Sequence, residues 1–177
     1  MIHSFASRAL RCLTVLVLLG TVDWMHAQRL SPGQTLTSRS RQFVVSSLVD
    51  APFVPAANKV KAVPDQVRLH PSGLAQFAES IRDQWVKRFG IASRWQSQIH
   101  LQIIPGKLGD TARFGRIPNA TGSWDYRASV PHLMPGRELT ELIVDLLLTE
   151  FAGRYSSTDP VLPPWITPGT TELILQS

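Results

Sequence analysis

From Leu139 to Ala152 the chain reads Leu-Thr-Glu-Leu-Ile-Val-Asp-Leu-Leu-Leu-Thr-Glu-Phe-Ala, and between 142 and 148 every side chain except Asp145 is apolar. A helix that is apolar on nearly every side has no face to give to water, so other parts of the fold must enclose it. It begins near Gly136, with Glu138 and Glu141 close to its positive end. The rest of the fold has to be built around this segment.

The enclosing elements are readable upstream. Arg41-Gln42-Phe43-Val44-Val45-Ser46-Ser47-Leu48 is rich in β-branched and aromatic residues and predicts a strand. From Pro71, residues Leu74, Phe77, Ala78, Ile81, Trp85 and Phe89 recur at helical spacing. Ser72 is the expected N-cap of that helix, and Gly90 after Lys87-Arg88 its end. Gln98 to Ile104 alternates and stops at Pro105-Gly106, a half-buried strand, and Trp124, Tyr126, Ala128 and Val130 mark another. Lys107 to Gly122, with three glycines and a proline, reads as a loop or short hairpin region. After a loop from Ser156 to Pro164, Thr167 is expected to cap a last helix with Pro168 in its first turn. The order strand, helix, strand, strand, helix, helix predicts an α+β domain, a small mixed sheet packed by an amphipathic helix and followed by a buried helix pair.

At 177 residues, 44% hydrophobic and 18% charged, the chain suits one domain. Arg8 and Arg11 precede an apolar run from Cys12 through Val22, and Met25-His26-Ala27 ends on a small residue. That order predicts a cleaved signal peptide over 1–27, with an uncleaved N-terminal anchor as the alternative. The run is about half the roughly 20 residues of a membrane span, and none as long follows. Residues 28–40, rich in Ser, Thr, Gly and Pro, read as a disordered tether before a domain over 41–177. The expected location is the periplasm or outside the cell.

Cleavage would remove Cys12, the only cysteine, and with it any disulfide, thiol nucleophile or Cys-ligated zinc. It would also remove Arg8, Arg11 and Asp23, leaving 18 less 2 basic and 13 less 1 acidic residues, a net charge of +4. Basic residues such as Arg39, Lys59, Arg82 and Lys87 are scattered, unlike a nucleic-acid footprint. An anionic envelope polymer or an envelope protein fits export better as partner.

Chemistry has few candidates. His70, His100 and His132 lack the three- or four-residue spacing that sets two imidazoles on one helix face, and each reads as solvated or hydrogen-bonded. There is no G-x-S-x-G elbow, and Gly106, Gly109 and Gly115 do not make a phosphate cradle. Trp85, Trp95, Trp124 and Trp165 fit a peptide or sugar groove or the core equally well.

The C-terminal third says more. Leu147-Leu148-Thr149-Glu150-Phe151-Ala152-Gly153-Arg154-Tyr155, then Leu162-Pro163-Pro164-Trp165-Ile166-Thr167-Pro168-Gly169-Thr170-Thr171-Glu172, resembles the active-site core of gluzincin metalloproteases of the peptidase MA-like type. The resemblance covers about residues 123–177. It implies a zincin-like helix pair in which Thr149 and Gly153 stand at the two zinc-histidine positions and Pro168 at the ligand glutamate; only Glu150 keeps its type, at the general-base position. Threonine, glycine and proline cannot hold Zn²⁺ and acidify its water. The expectation is a pseudo-metallopeptidase without cofactor, a non-catalytic binding or scaffold domain in which Trp124 and Trp165 are candidate binding residues. The alternative is an envelope hydrolase in which Glu150 acts as base together with Asp145, His100 or His132. The family domain continues in helices beyond the region of Gly169, whereas this chain ends at Ser177, so the domain reads as a truncated version or a fragment.

Overall fold

The computed structural model describes residues 35–49, 65–91, 95, 97–107, 109–118, 124–156 and 160–176. The expected signal peptide and the first part of the expected tether, 28–34, lie outside them. In chain order the elements are β1 (Thr35–Thr37), β2 (Phe43–Ser47), β3 (Gln66–Arg68), α1 (Pro71–Phe89), β4 (Ile99–Ile104), β5 (Arg113–Pro118), β6 (Trp124–Pro131), β7 (Leu133–Pro135), α2 (Gly136–Gly153) and α3 (Ile166–Leu175). The fold is α+β, with a mixed five-stranded sheet ordered β1-β2-β4-β6-β5. Its inner strands β2, β4 and β6 run parallel, while β1 and β5 close the two edges antiparallel. A separate antiparallel pair joins β3 to β7.

Alternation along the inner strands decides which face is covered. Phe43 and Val45, Ile99, Leu101 and Ile103, and Tyr126, Ala128 and Val130 are buried. Against them pack Leu74, Ala78, Ile81 and Trp85 from α1 and Leu139, Ile143, Leu146 and Leu147 from α2. Each large side chain so enclosed contributes about 1.5–3 kcal/mol. The apolar helix is thus covered as its sequence demands, by β6 and β7 and by α1 and α3.

Three sequence readings change and a fourth narrows. Thr35–Thr37, within the stretch read as tether, forms a strand because Leu36 reaches the core and the turn to β2 is closed by hydrogen bonds between Ser38 and Phe43. Arg113–Pro118, within the stretch read as a loop or short hairpin region, is an edge strand paired antiparallel with β6; its glycine and proline are tolerated where one side of the strand needs no partner. α1 starts one residue before Ser72: His70 is its N-cap and Pro71 opens the helix, while the Ser72 hydroxyl pairs with His70 Nδ1 at 3.0 Å. α3 is capped by Trp165, which places Thr167 inside the first turn. Gly90 does end α1, in the left-handed conformation at φ 63°, which glycine adopts without strain. No helix among the described residues is long and apolar enough to cross a membrane.

Candidate functional site

The residues singled out by the zincin-like pattern lie on the last two turns of α2 and the first turn of α3. Glu150, one step past Thr149, turns inward and is 1% exposed. Arg154, one helical turn on, grips it: Nε donates to both carboxylate oxygens at 3.1 and 3.0 Å, and Nη2 reaches Oε2 at 2.6 Å. The same guanidinium lies 4.6 Å from the ring centre of Trp95. Arg82 of α1 also lies over Trp95, at 5.8 Å, and stands 3.7 Å from Glu79. Glu79 accepts from the Ser40 N–H at 2.9 Å and from its hydroxyl at 2.5 Å. Two buried acids, two arginines and one indole therefore form a charged seam between α1 and α2. Burial pushes the Glu79 carboxyl up, but the Ser38 and Ser40 hydroxyls, the Ser40 N–H and Arg82 outweigh it, and the net shift is downward.

Asp145 is treated differently. It lies on another side of α2, where the Thr167 hydroxyl of α3 donates to it at 2.8 Å. Burial raises its carboxyl above the ordinary range and that bond offsets the rise only in part. Asp145 and Thr149 line a cleft of about 500 Å³ together with Phe114 and Arg116 of β5, Tyr126 and Leu162. Glu150 is not among the residues lining it. The carboxylate that the resemblance puts at the general-base position is thus locked into the interior: an acid one turn before an arginine on a buried helix face pairs with it.

The pattern's metal site does not fit a metal. A β-carbon at Gly153 would collide with the Tyr126 hydroxyl, so that position has no room for a ligating side chain unless the tyrosine moves. The same hydroxyl donates to the Thr149 carbonyl at 3.3 Å. Thr149 supplies at most one weak oxygen, and Pro168 none from its side chain. Among the described residues, no three His, Cys, Asp or Glu side chains converge as a metal site. His132 Nδ1 accepts the Gly106 N–H at 3.2 Å, His70 is held by Ser72, and His100 lies on β4; the Leu69 N–H bonds to the His132 carbonyl, which sets the His70 and His132 backbones near one another, but the three imidazoles form no metal site among the described residues.

The tryptophans also part company. Trp124 lies beneath the Arg116 guanidinium, 4.1 Å from its ring centre, and packs on the core. Trp165 is 71% exposed and stands at a groove of about 510 Å³ between the three helices. Trp85, Leu148, Phe151, Leu173 and Gly169 share that groove, and among the described residues no ionisable side chain lines it. Sequence reasoning missed Arg154 and Tyr126. The four-residue step from Glu150 to Arg154 was an available signal for the first, whereas nothing in the sequence ties Tyr126 to Gly153. No protein-family model, curated protein or solved structure matches the chain.

Proposed function

We propose that this chain is an exported, non-catalytic binding domain built on a zincin-like scaffold, holding a small uncharged apolar molecule between its three helices. The observation that carries the reading is the groove of about 510 Å³: among the described residues that line it none is ionisable, and Trp165 stands exposed at its rim. That volume is in the range of small-molecule sites, and an apolar lining with aromatic walls favours an apolar guest. An aromatic ring left 71% in water gains by being covered. The non-catalytic half rests on α2: Glu150 is held by Arg154, and Tyr126 fills the space beside Gly153. Export rests on the order Arg8, Arg11, apolar run, Ala27.

The test uses N-phenyl-1-naphthylamine, an uncharged fluorescent probe, titrated into the protein while tryptophan emission is followed. Saturable binding with a change in tryptophan emission is expected. Gly169→Leu should weaken it at least about tenfold, because a β-carbon there meets nothing within 4 Å and the new side chain fills the groove, not the core. Unchanged binding in that variant sinks the assignment of the groove. Chelator-sensitive cleavage of casein by the purified protein sinks the non-catalytic half.

A further inference from the structure

A sheet whose inner strands run parallel is ordinarily covered on both faces, and its strands then read as continuous apolar runs. Here β2, β4 and β6 run parallel and nevertheless alternate. The helices pack on one another and on the buried face. The opposite face presents polar side chains in register. Thr35, Ser46, Gln102, Ser129 and Arg113 are successive partners across all five strands, a row that at the usual strand spacing runs about 19 Å. In the next row Thr37, Val44, His100, Arg127 and Gly115 are successive partners, with Val44 its one large apolar side chain.

Arg113 and Arg127 are exposed, and neither has a hydrogen-bond or ion-pair partner among the described residues. They flank Gly115, above whose β-carbon position there is nothing within 4 Å. Two guanidiniums thus border an open notch at one end of a line of hydroxyls and an amide. The acid on this part of the face, Asp125, lies two residues before Arg127 and already accepts the Gln98 N–H at 3.2 Å. The two rows contain no Phe, Tyr or Trp, so they offer no platform for nucleic-acid bases and no aromatic anchor for a protein partner.

We infer that this sheet face, left uncovered by the described helices, binds an acidic polysaccharide, with uronate carboxylates on Arg113 and Arg127 and sugar hydroxyls along Ser46, Gln102 and Ser129. The guanidinium fork matches a carboxylate in two hydrogen bonds, and hydroxyl and amide side chains both donate to and accept from sugar hydroxyls. The inference rests on a different surface from the helix groove, and its outcome is independent of the guest held there.

The full chain is run by affinity electrophoresis through gels containing alginate, a linear polyuronate, or dextran, a neutral glucan. Retardation by alginate and not by dextran is expected, fading as salt rises to about 0.2 M because the contacts are exposed. Arg113→Gln combined with Arg127→Gln should weaken retardation at least about tenfold with an unchanged melting temperature. Gly115→Asp should do the same by setting a negative charge between the arginines in open space. Equal retardation by dextran, alginate binding that survives both variants, or tighter binding to single-stranded RNA than to alginate overturns the inference.

Discussion

The two sides of α2 handle a carboxylate in opposite ways. Toward α1, Glu150 is sealed from water and matched by a bidentate guanidinium that itself stacks on Trp95. Toward α3 and the β5 cleft, Asp145 is half-buried and takes its hydrogen bond from a hydroxyl. A buried charge with a geometrically matched counter-charge becomes part of the framework and loses its chemistry. One with only a neutral partner keeps its proton equilibrium and its access to a cleft. The position that the gluzincin resemblance assigns to the base is the framework one.

The largest expected effect breaks the first side. Arg154→Met takes the bidentate guanidinium away from the buried Glu150, and removing one member of a buried pair costs about 3–5 kcal/mol. Urea denaturation should show that loss, and adding Glu150→Leu should restore most of it, since an apolar pair of similar volume needs no solvation. A loss under about 1 kcal/mol would mean that Glu150 reaches water and is again open to a role as base.

Next in size is Gly153→Ala. The added methyl runs into the Tyr126 hydroxyl, and overpacking of this kind costs about 1–3 kcal/mol. Tyr126→Phe in the same chain should recover the stability, because it removes the clashing oxygen, and the hydrogen bond to the Thr149 carbonyl that goes with it is long. If the double variant is no more stable than Gly153→Ala alone, the strain lies elsewhere and the space beside Gly153 is not what excludes a ligand there.

These two sites show how far the sequence carries. The enclosure of 139–152 follows from a helix apolar on nearly every side and β2 from its β-branched and aromatic residues, while α1, β4 and β6 follow from periodicity, because burial of one face repeats about every 2 residues in a strand and about every 3.6 in a helix. The edge strands do not: Thr35–Thr37 and Arg113–Pro118 are mostly exposed, so no apolar pattern marks them, and only pairing with β2 and β6 defines them. The Glu150–Arg154 pair was local and readable. Tyr126 against Gly153, Asp145 against Thr167, and the row from Thr35 to Arg113 join residues on elements far apart in sequence, and only the register and packing of the fold bring them together.

A third prediction sharpens the contrast within the charged seam. Glu79→Gln keeps an acceptor for Ser40 but loses the charge, at a cost of about 1 kcal/mol near neutral pH. The folded Glu79 carboxyl titrates below its unfolded value of 4.5. Its contribution is therefore present above pH 4.5 and is lost as pH falls through the lower folded value. The difference between wild type and Glu79→Gln, followed by urea denaturation across that range, should shrink on acidification. A difference that grows instead would mean that the carboxyl is not held charged by Ser38, Ser40 and Arg82.

Asp145 should give the smallest effect and the opposite sign. Its folded pKa is raised above the unfolded value of 3.8, so the folded state favours the protonated form. The corresponding stability is present below pH 3.8 and is lost as pH rises through the folded value. An asparagine at this position would keep an acceptor for the Thr167 hydroxyl and never ionise, so Asp145→Asn should match wild type in acid and exceed it near neutral pH. Because the group is only half-buried, solvent screening limits the gain to a few tenths of a kcal/mol. A loss of stability in Asp145→Asn near neutral pH would show that the ionised form is the one the fold holds. The cleft beside Thr149 would then have to supply a cation for it, and Arg116, which lines the same cleft, is the side chain placed to do so.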